Sequence, residues 1–334
     1  MVAPPLAALL YPFTLEGFNA SVTLALGGSA GFMAVLSAAI YLALAFAVPL
    51  VGMLAAIWLS EIDQPTAAQV RAKRVALLSV AAPTLFTFAG VVLYMLHDPL
   101  PDRWLWVACW GIVIALLLRW DRDATAQRGA CSTPVPLRVA HGLSALAILV
   151  AFLALHIANH LMFPAGAETY DAVMKVFRHV YRTNVLQAVI VSLFLFQIGS
   201  GFFFVWRLTV TPTDRFRTFQ IASGVYLAFY VLGHMNSVFI FARTYLGIDT
   251  SWGFATGAPT GLVKDPWNIR LVPHYWFGVF FVLAHLAAGA RDVMMAHGVT
   301  NKFANRFMMS SAVAAGIVAT VIVLGMCGMR VKFI

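Results

Sequence analysis

Residues 34–59, AVLSAAIYLALAFAVPLVGMLAAIWL, contain no charged side chain. At 1.5 Å of rise per residue a helix of this length spans the roughly 30 Å hydrocarbon core of a bilayer. Comparable runs recur to the end of the chain. All 13 carboxylates, from Glu16 to Asp292, fall between these runs or at their edges. Only 10 % of residues are charged and 61 % are hydrophobic, with a mean hydropathy of +0.86, where soluble domains carry about 25 % charge. In lipid every backbone N–H and C=O needs an internal partner, so such segments form helices. The expectation is an all-α, polytopic membrane helical bundle.

Eight spans are predicted, near 31–60, 75–97, 103–120, 138–163, 182–207, 216–243, 273–297 and 306–330. They are separated by Pro and charge clusters such as DPLPDR, STPVPLR, TPTDRFR and IRLVPHY. The preceding FNASVTLALGGSAGF reads as an interfacial piece, and Pro49 as a kink in the first span. The predicted loops divide the 22 Lys and Arg residues 13 to 9 between the two sides. This bias places both termini on the non-cytoplasmic face. The long connections 164–181 and 244–272 share that face, and the second, rich in Gly, Trp and Pro, reads as a packed cap. The start MVAPPLAALLYPF lacks the basic region of a cleaved secretory signal. Cys109, Cys131 and Cys327 are scattered, which leaves neither a cysteine metal site nor covalent haem attachment. The net charge of +9 is assigned to topology and lipid headgroups, and not to nucleic acid.

The chemistry concentrates in histidines. His156 follows Arg138 by 18 residues and His234 follows Arg217 by 17, on spans running the same way, so the two imidazoles share a depth. Gln197, 15 residues after Arg182, and His285, 12 after Pro273, share a second level nearer the cytoplasm. Ala145 and Ser223 each lie eleven residues before their histidine, about three turns away on the same face. Gly201 and Gly289 follow Gln197 and His285 by four, leaving room for a flat group. The repetition points to a duplicated two-helix unit. Ionisable groups within spans are functional candidates by default. The group that explains two imidazoles at one depth without a carboxylate is haem b, ligated axially by neutral rings. His160, one turn beyond His156, is the competing ligand. Arg178, Arg182, Arg243 and Arg270 lie on the side where propionates need cations, and His274 is a further propionate contact. His97, His141, His179 and His297 lie near helix ends, where headgroup contact is the default.

The segments RFRTFQIASGVYLAFYVLGHMNSVFIF and LAHLAAGAR resemble the haem-bearing helices of the membrane cytochrome b subunits of succinate dehydrogenases and fumarate reductases. The single-chain, five-helix, dihaem form is the nearest. The resemblance covers about residues 136–298 and extends to related mitochondrial adapter proteins and to dihaem anchors of some bacterial adenylate cyclases. It implies that His156 and His234 hold the outer haem and that His285 is one ligand of an inner haem. Where the family has a second histidine, this chain has Gln197. The resulting division is an N-terminal region 1–135 with about three spans, a haem-binding four-helix core 136–298, and a final span in 299–334.

The expected function is electron transfer to or from a quinone pool through bis-histidine haem, one haem or two. Arg182, Trp252, Trp267, His274 and Tyr275 are candidate quinone contacts, and a protein redox partner subunit is implied. The alternatives are a haem-containing membrane adapter or redox sensor, and a transporter. The last is disfavoured because carriers place acids at mid-membrane and this chain has none there.

Overall fold

The structure, a computed structural model, describes residues 1–27, 31–119 and 133–331. Cys131 and the topology-setting Arg122, Arg128 and Lys332 lie outside the described residues. Helices follow one another along the chain: α1 (Ala3–Leu26), α2 (Gly31–Ser60), α3 (Ala67–Val80), α4 (Ala82–Met95), α5 (Asp102–Arg119), α6 (Val135–Ile148), α7 (Ala154–His160), α8 (Ala167–Tyr181), α9 (Asn184–Leu208), α10 (Arg215–Met235), α11 (Trp252–Thr256), α12 (Leu271–Ala296) and α13 (Asn301–Met326). No strand occurs among the described residues.

Among the described residues, six helical segments are long and apolar enough to cross a membrane: Gly31–Ser60, Val135–Ala165, Asn184–Leu208, Arg215–Tyr245, Asn268–Ala296 and Asn301–Met326. The predicted span 75–97 falls within a broken pair, α3 and α4, bent by 66°. Pro83 at the start of α4 supplies no N–H to continue α3. The predicted span 103–120 is α5, which is only 18 residues long and opens on Asp102 and Arg103. Residues 18–26 of the segment expected as an interfacial lead-in belong to α1, a 24-residue helix of its own. Pro49 lies inside α2 without ending it. Phe32, Val150 and Val185 keep 76 %, 70 % and 77 % of their surface exposed, and long helices with such outward faces require lipid or protein around them.

Helix starts follow capping chemistry. Thr66 and Gln69 form a reciprocal capping box on α3. The Asp214 carboxylate accepts the N–H groups of Phe216 and Arg217 at 2.8 and 3.0 Å and starts α10. Two spans contain π-helical turns, Leu149–Leu153 between α6 and α7 and Asn236–Tyr245 after α10.

The chain divides into two compact units. The first comprises 1–131, 205–248 and 262–274. Its core joins Tyr11, Phe18, Val48, Phe86, Trp106, Trp110 and Ile269, and the Trp106 indole donates to the Ala8 carbonyl at 2.7 Å. α2 and α3 approach closely at Gly52: a Cβ there would lie 2.7 Å from the Ala76 carbonyl oxygen, so only glycine fits. Arg270 is buried against Asp102, donates to the Trp267 carbonyl at 2.9 Å and covers the Phe86 ring at 4.4 Å. The second unit comprises 132–204, 249–261 and 275–334. There α13 meets the 163–165 turn at Gly325, where a Cβ would lie 2.7 Å from Pro164. The Val331 N–H donates to the Pro164 carbonyl at 3.0 Å.

The Arg270–Asp102 pair generates a stability prediction. Removing one partner of a buried pair leaves an uncompensated charge and costs about 3–5 kcal/mol. Arg270→Ala should therefore lower the melting temperature in detergent sharply, while Arg270→Leu combined with Asp102→Leu should recover most of the loss.

Candidate functional site

Five of the nine histidines fall into three groups, each within one unit. In the second unit His156 and His160 lie one turn apart on α7 and meet through their Nε2 atoms at 3.1 Å. Only one proton can occupy that contact, so one ring donates and the other accepts. His156 stacks on Phe152 with centroids 4.7 Å apart, and Phe152 in turn meets Tyr181 and Phe194 edge-on. His160 is gripped at its other nitrogen, with Nδ1 3.3 Å from the Tyr170 hydroxyl. Phe163 and Tyr170 stack over its ring. Burial pushes the Tyr170 phenol well above its usual range, so at neutral pH it is an uncharged hydroxyl. Asn159, 3 % exposed, has a buried Oδ1 with no hydrogen-bond partner.

In the first unit His234 lies in the last turn of α10 and stacks on Tyr230 at 5.7 Å, nearly parallel. The His274 ring packs 4.8 Å from Tyr230, and its carbonyl accepts the Tyr226 hydroxyl at 2.8 Å. The sequence suggested a propionate contact for His274; the structure adds that it is buried in an aromatic stack. Asn236, two residues past His234, has a buried Nδ2 without an acceptor. Arg243 lies in the π-helical turn with its guanidinium 4.7 Å from the Phe239 centroid.

The third group was missed by sequence reasoning, which assigned His141 to the headgroups. In the second unit His141 Nδ1 lies 2.7 Å from Ser200 Oγ, and Gln197 Nε2 donates to the His141 carbonyl and to Ser144 Oγ, both at 2.6 Å. Gly201, expected to leave space for a flat group, faces the His141 ring, which would lie 4.0 Å from an added Cβ. The available signal was the i, i+3 pairing of His141 with Ser144 and of Gln197 with Ser200, which puts two polar groups on one face of each helix. His285 is half-buried on α12 in the same unit.

Three of the four propionate arginines are committed elsewhere. Arg270 is held by Asp102. Arg178 donates to the Thr250 carbonyl and to its hydroxyl, the latter at 2.7 Å. Arg182 donates to the same hydroxyl at 3.1 Å and lies 3.6 Å from Asp249. Thr250 thus ties the end of α8 to the cap segment, which Asp171 also holds by accepting the Trp252 N–H at 2.9 Å.

Among the described residues no three His, Cys, Asp or Glu side chains converge as a metal site. A haem brings four of its own ligands and asks the protein for one imidazole on each face. The Asn236 amide donor beside His234 is of the kind a propionate oxygen would take up.

Thr250→Val removes the hydroxyl shared by Arg178 and Arg182. Hydrogen bonds to charged groups contribute about 1.5–3 kcal/mol, reduced here by solvent. Limited proteolysis should cut the 249–261 segment several-fold faster in this variant while the spans remain intact. No protein-family model matches the chain, and neither does any curated protein or solved structure.

Proposed function

We propose that the chain is a membrane-bound haem b protein that transfers electrons to or from the quinone pool. In this reading α3 with α4, and α5, complete eight spans around a cytochrome b-like core. The residues that would hold the haem are those the sequence suggests, His156 and His234. The observation that carries the reading is that each of these histidines borders a π-helical turn in its own span. His156 lies three residues after Leu149–Leu153, and His234 two residues before Asn236–Tyr245. A π turn breaks the i→i−4 hydrogen-bond pattern and re-aims the neighbouring side chains, and it recurs at functional sites. A haem, when bound, supplies the one-electron couple of its iron.

The chain's own residues orient, exclude water and neutralise charge. Phe152 and Tyr230 stack on the two imidazoles and set their ring planes. His160, held at Nδ1 by Tyr170, buttresses His156. Asn236 and Arg243 follow His234 in the same span and are the donors for carboxylate oxygens. Arg182, at the cap, and Trp252 are candidate contacts for a quinone headgroup in the second unit.

Full-length protein purified in detergent from haem-replete cells should show a reduced-minus-oxidised b-type spectrum and be reduced by a quinol. His156→Ala and His234→Ala should each remove at least 90 % of that signal, and His160→Ala should retain most of it. Unchanged haem content in His234→Ala would overturn the assignment.

A further inference from the structure

His156 and His160 are four residues apart on α7, a spacing that makes two side chains neighbours on one helix face. Their Nε2 atoms meet at 3.1 Å. Two nitrogens bound to one zinc ion at near-tetrahedral angles lie about 3.4 Å apart, so a small widening of this contact turns it into a chelate. Histidines at this spacing recur as zinc ligands on helices.

Both rings are held in place by their neighbours. Phe152 stacks on His156 at 4.7 Å, and the fully buried Phe163 stacks on His160 at 5.3 Å. The Tyr170 hydroxyl lies 3.3 Å from His160 Nδ1. A hydroxyl both donates and accepts, so Tyr170 serves His160 whichever of its nitrogens carries the proton. Chelation needs a lone pair on both Nε2 atoms. The proton now shared by the two then moves to Nδ1 of the ring that owns it, and neither ring changes its charge. An anchor on the far nitrogen is the regular companion of a metal-binding imidazole. Asn159 adds a second sign. It is a neighbour of His156 on the helix surface, three residues on, and its buried Oδ1 has no hydrogen-bond partner. The water shell of a bound ion would satisfy it.

We infer that His156 and His160 bind a divalent transition-metal ion of the zinc type through their Nε2 atoms, with water in the remaining positions. Every residue of the site belongs to the second unit. A consequence for cofactor loading rests on the haem reading above. The lone pair that His156 Nε2 gives to zinc is not available to iron, so ion and haem exclude one another at His156.

Zn²⁺ and Cu²⁺ are the probes, added to full-length protein purified in detergent from haem-deficient cells. Cu²⁺ binds nitrogen sites more tightly than Zn²⁺ and reports its donors by electron paramagnetic resonance. The wild-type copper spectrum should carry couplings from two imidazoles, a readout that needs no variant to fold. Zinc bound per chain should fall by one in His160→Ala. Tyr170→Phe keeps the ring stack, and its zinc affinity should drop about tenfold. Zn²⁺ present during haem loading should suppress the b-type signal in wild type and leave it intact in His160→Ala. A single coupled imidazole, or equal zinc in wild type and His160→Ala, overturns the site. Unchanged affinity in Tyr170→Phe overturns the anchoring role of Tyr170. Bound zinc that leaves haem uptake untouched overturns the exclusion. Bound zinc with no b-type signal under any condition overturns the haem reading and leaves the ion site standing.

Discussion

The interaction on which the rest depends is the hydrogen bond that a polar group inside a span must find within the protein. Hydroxyls solve it locally by donating to a carbonyl one turn back: Ser60 to Ala56, Ser79 to Val75, Thr87 to Pro83, Ser200 to Phe196 and Thr320 to Gly316. These bonds consume the only proton each side chain has. Whatever approaches such a hydroxyl from another helix meets an acceptor. At Ser200 that rule converts a packing detail into the protonation state of His141.

Larger polar groups cannot satisfy themselves this way, and their partners define the architecture. Lys73 reaches the Thr211 carbonyl at 3.2 Å. Arg74 donates to Thr209 and the Trp206 carbonyl and lies 3.7 Å over the Trp206 ring. Arg270 takes Asp102. Each is a cation tethered within the first unit, so the basic surplus is in part a set of structural fasteners. The buried amide atoms of Asn159 and Asn236 have no such partner, and both lie within three residues of a proposed haem ligand. Leaving a polar group unsatisfied in a buried site costs about 1–3 kcal/mol, a cost that a bound group can relieve.

The π-helical turns place those ligands. A straight α-helix carries a side chain to a face set by residue count alone. The five-residue turn at Leu149–Leu153 and the longer one at Asn236–Tyr245 change the phase of the helix beside His156 and His234.

The helical class and the apolar length of the candidate spans were legible in the sequence, because hydrophobic length along a helix is a one-dimensional quantity. The bend between α3 and α4, the independence of α1 and the short, charged start of α5 were not, since window hydropathy does not register where a helix breaks or what it packs on. The commitment of Arg270 to Asp102, 168 residues apart in the chain, depends on a fold. So does the transfer of His141 from a supposed headgroup contact to a network with Gln197 and Ser200. Sequence dictates where along a helix a polar side chain lies; only tertiary packing decides which partner satisfies it, because that partner belongs to another helix.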